Sequence, residues 1–294
     1  MNGLYQFLRL NSGRRVDSIV LFCCFVREFP NAFTHWFQSL SRICVERLHL
    51  YFACPCLYHI LDSSKLLEFS LEVLSQASSL KHLRMHHCIV LSSPKVRFNS
   101  LTTLLLGAVV LTSGHLEGIL SSCSNLHELT IEYCKLPYKL RIAGTVKVVA
   151  ILECDRVKEI DLHAAYLQRI ECNMNNKDRF FFSFVPMLEN VMVYPGSECP
   201  VQDLYVKHLP IEIPTEMKTF RNIRNLSLIL VARHAISQIL ELSALWSACP
   251  RLQNFSLVVS YPCSDLQFDE RKRNPIQQKL HGQAISNNAV VIIQ

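Results

Sequence analysis

The chain reads as an α/β solenoid: one short strand per coil, laid into a curved parallel sheet on the concave side, with short helices or irregular returns outside. Three observations predict it. Leu126-His-Glu-Leu129-Thr-Ile131-Glu-Tyr-Cys134 places apolar residues at relative positions 1, 4 and 6 and a cysteine at 9, the spacing of a leucine-rich repeat. The pattern recurs along the chain, and the cysteine recurs with it at Cys24, Cys88, Cys134 and Cys154. Finally, the 294 residues are half apolar, with only 8 glycines and 12 prolines, which excludes a disordered or collagenous chain. Alternation at Leu129, Ile131 and Tyr133 suits a strand with one buried face, and a cysteine can fill a small slot behind it. Such a unit cannot bury that face alone, so it needs copies stacked on both sides. Three apolar positions in a half-apolar chain coincide by chance in roughly one window in eight, so repetition carries the prediction.

The first strand is Val16-Asp-Ser-Ile19-Val-Leu21, and helical spacing after Pro30 predicts a return helix through Trp36 and Leu40 to Ile43. The second is Val45-Glu-Arg-Leu48-His-Leu50. Residues 51–79 are ambiguous: Cys54-Pro-Cys56 suits a turn, and Leu66 to Leu74 suits either a helix or an irregular strand. The pattern returns at Leu80 and Leu101, and a short helix from Ser113 to Leu120, capped by Thr112 or Ser113, leads to Cys123-Ser-Asn-Leu126. Later units start at Val146, Val157, Leu167, Leu188, Ile223 and Leu252, the last preceded by a predicted helix over Ala235 to Ala248 and by Cys249-Pro-Arg. Separations of 20 to 35 leave room for a return segment, but 146 to 157 to 167 does not. Residues 146–172 must therefore return by tight turns or pair as hairpins. The repeats define a domain over 1–262; residues 263–294 form a C-terminal tail, basic at first, expected to carry no repeat and to be poorly ordered.

Net charge is +6, from 30 basic and 24 acidic side chains with interspersed signs, which does not suit a dedicated nucleic-acid binder. The longest apolar runs, Ile19 to Val26 and Leu104 to Leu111, fall far short of the roughly 18 residues a membrane helix needs. Thirteen cysteines is an odd number, and the start of the chain lacks the basic and apolar regions of an export signal. Buried thiols in a reducing compartment fit better, predicting a cytoplasmic or nuclear protein.

Several stretches together resemble the plant F-box/leucine-rich-repeat proteins of the FBD-related kind. They are Ser12-Gly-Arg-Arg-Val-Asp-Ser-Ile-Val-Leu-Phe22, His35-Trp-Phe37, Val45-Glu-Arg-Leu-His-Leu50, Ser79-Leu-Lys-His-Leu-Arg-Met-His-His-Cys88, Ile119-Leu-Ser-Ser-Cys-Ser-Asn-Leu-His-Glu-Leu129 and Cys249-Pro-Arg-Leu-Gln-Asn-Phe255. The resemblance implies the substrate-binding repeat region of such a protein. Family members carry an F-box of some forty residues that docks on the adaptor subunit of a cullin ubiquitin ligase; nothing of that length precedes Leu4 here, so the F-box is expected to be absent.

In a repeat strand, positions 3, 5 and 7 face away from the core. That register selects His82, Arg84 and His86; Glu128, Thr130 and Glu132; Glu159, Asp161 and His163; and Arg169, Glu171 and Asn173 as concave-face, partner-binding candidates. Patches of both signs suit protein recognition, as they also suit any solvated sheet face.

Other clusters have plainer readings. His82 with His86-His87-Cys88, and Cys54-Pro-Cys56 with His59, each lack the second ligand pair of a structural zinc site, so no metal is expected. Ser92-Ser-Pro-Lys95 lacks the companion motifs of S-x-x-K hydrolases, and no phosphate-binding glycine loop is present, so neither a cofactor nor catalysis is expected. The sequons at Asn225 and Asn254 fall inside predicted strands, and Arg271-Lys-Arg273 beside Asp269 and Glu270 suits a solvated turn. The expected function is non-catalytic protein recognition, the partner being a protein or a ubiquitination substrate, with neither nucleic acid nor membrane. The alternative is a complete substrate adaptor of a cullin-type ligase if an F-box precedes the repeats, in which case the ligase adaptor subunit is also a partner. A repeat-fold enzyme or an RNA binder is the remaining rival.

Overall fold

A computed structural model describes residues 15–22, 44–53, 66–75, 77–91, 97–111, 114–174, 179–195, 222–231, 249–260 and 290–293, with Gln6, Leu10 and Phe37. The chain forms two compact units, Met1–Val146 with Cys154–Val157, and Lys147–Glu153 with Lys158–Gln294.

In the first unit, strands β1 (Arg15–Phe22), β2 (Cys44–Tyr51), β4 (His82–His86), β6 (Thr103–Gly107) and β7 (Glu128–Glu132) lie side by side in that order, all parallel. Equivalent repeat positions stand opposite each other: Leu48 faces Leu83, Leu83 faces Leu104, and Leu104 faces Leu129. In this unit, positions 1, 4 and 6 are buried in every coil from β4 onward, as in Leu80, Leu83 and Met85 or Leu126, Leu129 and Ile131. A parallel ladder needs this register, because a one-residue slip would turn each leucine row to solvent.

Four successive coils end their strands the same way. The residue at position 8 takes a left-handed conformation in His87 (φ 62), Ala108 (φ 49), Tyr133 (φ 55) and Glu153 (φ 52). The next residue, Cys88, Val109 or Cys134, is buried, and the one after it bridges to the adjacent coil: Ile89 to Val110, Val110 to Lys135, Lys135 to Asp155. The recurring cysteine does more than fill volume. Cys134 Sγ lies 3.2 Å from Leu106 O and Cys154 Sγ lies 3.5 Å from Ile131 O, so in each case a thiol meets the position-6 carbonyl of the preceding coil as a weak donor. The lead-in is shared too: Leu126 N donates to Cys123 O and Leu252 N to Cys249 O, with Ala77, Ala164 and Val185 serving Leu80, Leu167 and Leu188.

In the second unit the same front strands are β9 (Val148–Leu152), β11 (Arg169–Met174), β13 (Asn190–Pro195), β14 (Asn225–Val231), β15 (Asn254–Ser260) and β16 (Val290–Ile293), each parallel to the next. Strand β16 lies in the tail that was expected to carry no repeat and to be poorly ordered; its four residues pair with Ser256 to Val259.

The short spacings resolve into a second layer. Strand β10 (Glu159–His163) pairs in parallel with β12 (Arg179–Phe184), separate from the front strands. The Val157 unit is therefore no front repeat. Val146 to Leu167 is one coil of 21 residues that makes two strands, and the hairpin alternative is excluded by the parallel pairing. Ile160 and Leu162 are buried, as in a front strand, which is why spacing alone could not separate the two. The first unit shows the same device: β3 (Leu67–Ser70) pairs with β5 (Cys88–Leu91), and β8 (Lys139–Ala143) packs against helix α1 (His115–Ser122).

The ambiguous segment ends as strand β3 followed by a 3-10 turn over Leu71–Leu74, capped by Ser70 Oγ accepting from Glu72 N. Helix α1 begins later than the sequence predicts, and its N-cap is Gly114 (φ 83), which makes no side-chain capping bond. Phe37, helical and fully buried, meets Phe69 edge-on at 5.2 Å. The predicted helix over Ala235 to Ala248 lies outside the described residues, as do Cys54, Cys56, His59, Ser92 to Lys95 and Arg271 to Arg273.

Candidate protein-binding face

Positions 3, 5 and 7 of the five front strands in the first unit form one open face. The register stacks them in rows. Along position 7 run Phe22, Tyr51, His86, Gly107 and Glu132, and along position 5 run Val20, His49, Arg84, Leu105 and Thr130.

The position-7 row is an aromatic stack. Phe22 lies on Tyr51 with ring centroids 5.0 Å apart and planes 17° apart, and Tyr51 lies on His86 at 4.7 Å and 9°. The stack closes over Gly107: a Cβ there would sit 2.2 Å from both Cε1 and Nδ1 of His86, so the imidazole fills the space a side chain would need. Parallel neighbours about 4.8 Å apart match the thickness of stacked rings, which is why equivalent positions on adjacent coils hold this arrangement. The outer end is uncovered, with Phe22 56% and Val20 48% exposed.

Arg84 ties the row to its polar surroundings. Its Nε donates to His86 Nε2 at 2.8 Å and its Nη2 donates to Glu132 Oε1 at 3.3 Å, two strands away. Burial, and then the positive Arg84, hold the His86 pKa down at about 4, so near neutral pH the imidazole is uncharged and its Nε2 can accept. His49 is also pushed down, first by burial and then by Arg84, Arg47 and His82.

At the margin, Glu46 Oε2 accepts from Arg15 at 2.7 Å and Glu46 Oε1 accepts from Lys81 at 3.0 Å. These two hydrogen bonds hold the Glu46 carboxyl down at about 2.

Of the residues the sequence selects, His82, Arg84, His86, Glu128, Thr130 and Glu132 do share this face. Arg169, Glu171 and Asn173 lie on the front strand β11 of the second unit, where Arg169 pairs with Glu171, and Asn173 Nδ2 donates to Glu153 Oε1 at 2.9 Å. Glu159, Asp161 and His163 do not lie on a front strand: they are on β10 of the second layer, where Asp161 accepts from Ser183 and His163 meets Phe184. Their placement on the concave stripe is corrected accordingly. Missed by the sequence reading were Phe22, Arg47, His49 and Tyr51, although the register applied to Val16 and Val45 points to all four.

Elsewhere on the second unit, Asn225 Nδ2 donates to Asn190 Oδ1 at 2.6 Å and Asn254 Nδ2 donates to Asn225 Oδ1 at 2.7 Å. Both sequon asparagines are thus rungs of an uncharged ladder at position 3. Among the described residues no three His, Cys, Asp or Glu side chains are grouped to hold a metal ion, and no helix is long and apolar enough to cross a membrane.

Repeated coils in one register, with left-handed corners and buried cysteines, form a leucine-rich-repeat solenoid. The family model described as At1g61320/AtMIF1, LRR domain, matches residues 8–284. The chain belongs to this family. A comparison with curated proteins found no match. The At1g61320/AtMIF1 match covers both structural units and runs beyond residue 262, taking in most of the segment set apart as a tail. In an At1g61320/AtMIF1-type chain, as in other solenoids, the coils supply a scaffold and the face they carry supplies the interaction surface.

Proposed function

We propose that the chain is a non-catalytic protein-recognition module of the cytoplasm or nucleus, and that it holds a protein partner against the open face of its first unit. The observation that carries this reading is the Phe22, Tyr51, His86 stack with its uncovered outer end, with Arg84 beside it at position 5 and Arg47 farther along the same face at position 3. Rigid aromatic and arginine side chains supply most of the binding energy at protein interfaces, and here they stand where repeat scaffolds display their variable residues. The His86 acceptor is occupied by Arg84, which suits a structural imidazole better than a general base.

The finer reading is that the bound protein is a ubiquitination substrate, as in the FBD-related F-box proteins that the chain resembles. What supports it is the shared repeat region. On this reading the repeats bind substrate-class proteins. Affinity purification from plant tissue tests both levels, comparing wild type with Tyr51→Ala. Partners recovered by the wild type and lost by the variant are expected. Recovery of the same proteins in equal amounts would refute the assignment of the face, and strong capture of the ligase adaptor subunit would favour a complete ligase adaptor.

A further inference from the structure

We propose that the open face of the first unit receives an acidic segment of its partner protein, with carboxylates seated on Arg47, His49, His82 and Arg84 and an adjoining apolar side chain seated on Val20 and Phe22. This rests on the protein-recognition reading above and specifies the chemistry of the partner.

The argument is one of charge complementarity. Arg47 stands opposite His82, and His49 opposite Arg84, so four nitrogen-bearing side chains occupy a two-by-two block on β2 and β4. Adjacent parallel strands lie about 4.8 Å apart, so a single bound carboxylate would be within reach of both sides of the block. Internal compensation is small. Glu132 reaches Arg84 alone, and Arg47 has no acidic partner among the described residues. His49 is held down first by burial and then by Arg84, Arg47 and His82, and a bound anion would offset that second contribution.

The apolar part of the site lies one strand away. Val20 stands opposite His49, and Phe22 stands opposite Tyr51, both with half their surface open. A segment crossing from β1 to β4 therefore meets an apolar pair first and the basic block second.

The other side of the face decides between a peptide and a nucleic acid. Beyond β6 the strand β7 presents Glu128 and Glu132, about 10 Å from the block at ordinary strand spacing. A nucleic acid carries its charge without interruption and would run onto these carboxylates, whereas an acidic stretch two or three residues long would stop short of them.

The test is fluorescence anisotropy with the full chain and a labelled peptide, Gly-Leu-Asp-Phe-Glu-Asp-Gly. Its counterpart has Asn and Gln in place of the acids, and an eight-nucleotide single-stranded RNA is the third probe. The acidic peptide is expected to bind roughly tenfold more tightly than the neutral one, with an affinity that falls as salt rises. Arg47→Glu should weaken it about tenfold and Arg47→Gln by less, both with wild-type melting, while Arg251→Glu, an exposed site on the second unit ahead of β15, leaves it unchanged. Equal binding of acidic and neutral peptides, tighter binding of the RNA, or indifference to Arg47→Glu would each overturn the proposal. If the peptides are not distinguished but tissue partners still depend on Tyr51, the acidic-segment proposal alone fails. If no partner depends on Tyr51, both readings fail.

Discussion

Gly107→Ala is the smallest change that should disturb the aromatic row, and its size can be worked from the geometry. The new Cβ would lie 2.2 Å from Cε1 and Nδ1 of His86 and 3.2 Å from its Cγ. Since nonbonded carbons settle at about 3.5 Å, the ring must retreat by about 1.3 Å. It has little freedom to do so, because Tyr51 stacks on it at 4.7 Å and Arg84 donates to its Nε2 at 2.8 Å. Losing the hydrogen bond costs about 1 kcal/mol. Disturbing the stack costs about 0.5–1 kcal/mol, and overpacking adds about 1 kcal/mol. Against these stands about 0.5 kcal/mol gained by replacing a strand glycine. The net expectation is a destabilisation of about 2 kcal/mol, or a melting temperature lower by about 4–8 °C.

A double-mutant cycle isolates the cause. In a His86→Ala background the clash is gone, so Gly107→Ala should cost nothing or stabilise slightly, giving a coupling of about 2 kcal/mol by urea denaturation. NMR titration supplies an independent readout: a displaced and better hydrated His86 should titrate above its value of about 4, back toward 6.5. Wild-type melting of Gly107→Ala, or the same cost in both backgrounds, would refute the account of how the row is built.

Three further outcomes are expected. At pH 8, iodoacetamide should label the exposed Cys44 well before Cys123 and Cys249, whose thiols burial pushes up to about 12, and before Cys134, which burial raises well above the ordinary thiol range; mass spectrometry showing equal rates would contradict the buried register. Ala108→Gly should stabilise by about 0.5 kcal/mol, because left-handed geometry at φ 49 costs an L-residue more than glycine loses in chain freedom, and a lower urea midpoint would count against it. Because Glu46 is held down at about 2 by Arg15 and Lys81, its contribution is present above about pH 4.5 and is lost as pH falls toward 2. The stability gap between wild type and Glu46→Gln should therefore close across that window, and a gap that stays constant would exclude the ion-paired arrangement.

The front strands were legible because burial demands leucine-sized residues at positions 1, 4 and 6, and parallel stacking demands the same register in every coil. Leu80, Leu101, Leu126, Leu167 and Leu188 each open a strand where the spacing puts it. The second layer was not legible from that rule. Ile160 and Leu162 alternate with polar residues just as Leu129 and Ile131 do, since any strand with one buried face gives a period of two. What distinguishes them lies beyond the strand. After β7 comes a left-handed Tyr133 and then the fully buried Cys134; the matching place in the Val157 unit is Ala165, which is only half-buried. The discriminating signal was thus the ninth position, together with the 21 residues from Val146 to Leu167 that one coil requires.

The binding face was half legible for a different reason. Choosing charged side chains from the register found His82, Arg84, Glu128 and Glu132 but passed over Phe22 and Tyr51, because an apolar residue at a solvent position looks like noise when one coil is read alone. Stacking across coils reverses that judgement. Position 7 offers a ring on three successive strands and then a glycine, and only the register shows that the glycine makes room for the last ring. In a solenoid the informative unit is therefore the row across coils. A side chain unexplained within its own repeat acquires a physical role once its neighbours one coil before and after are set beside it.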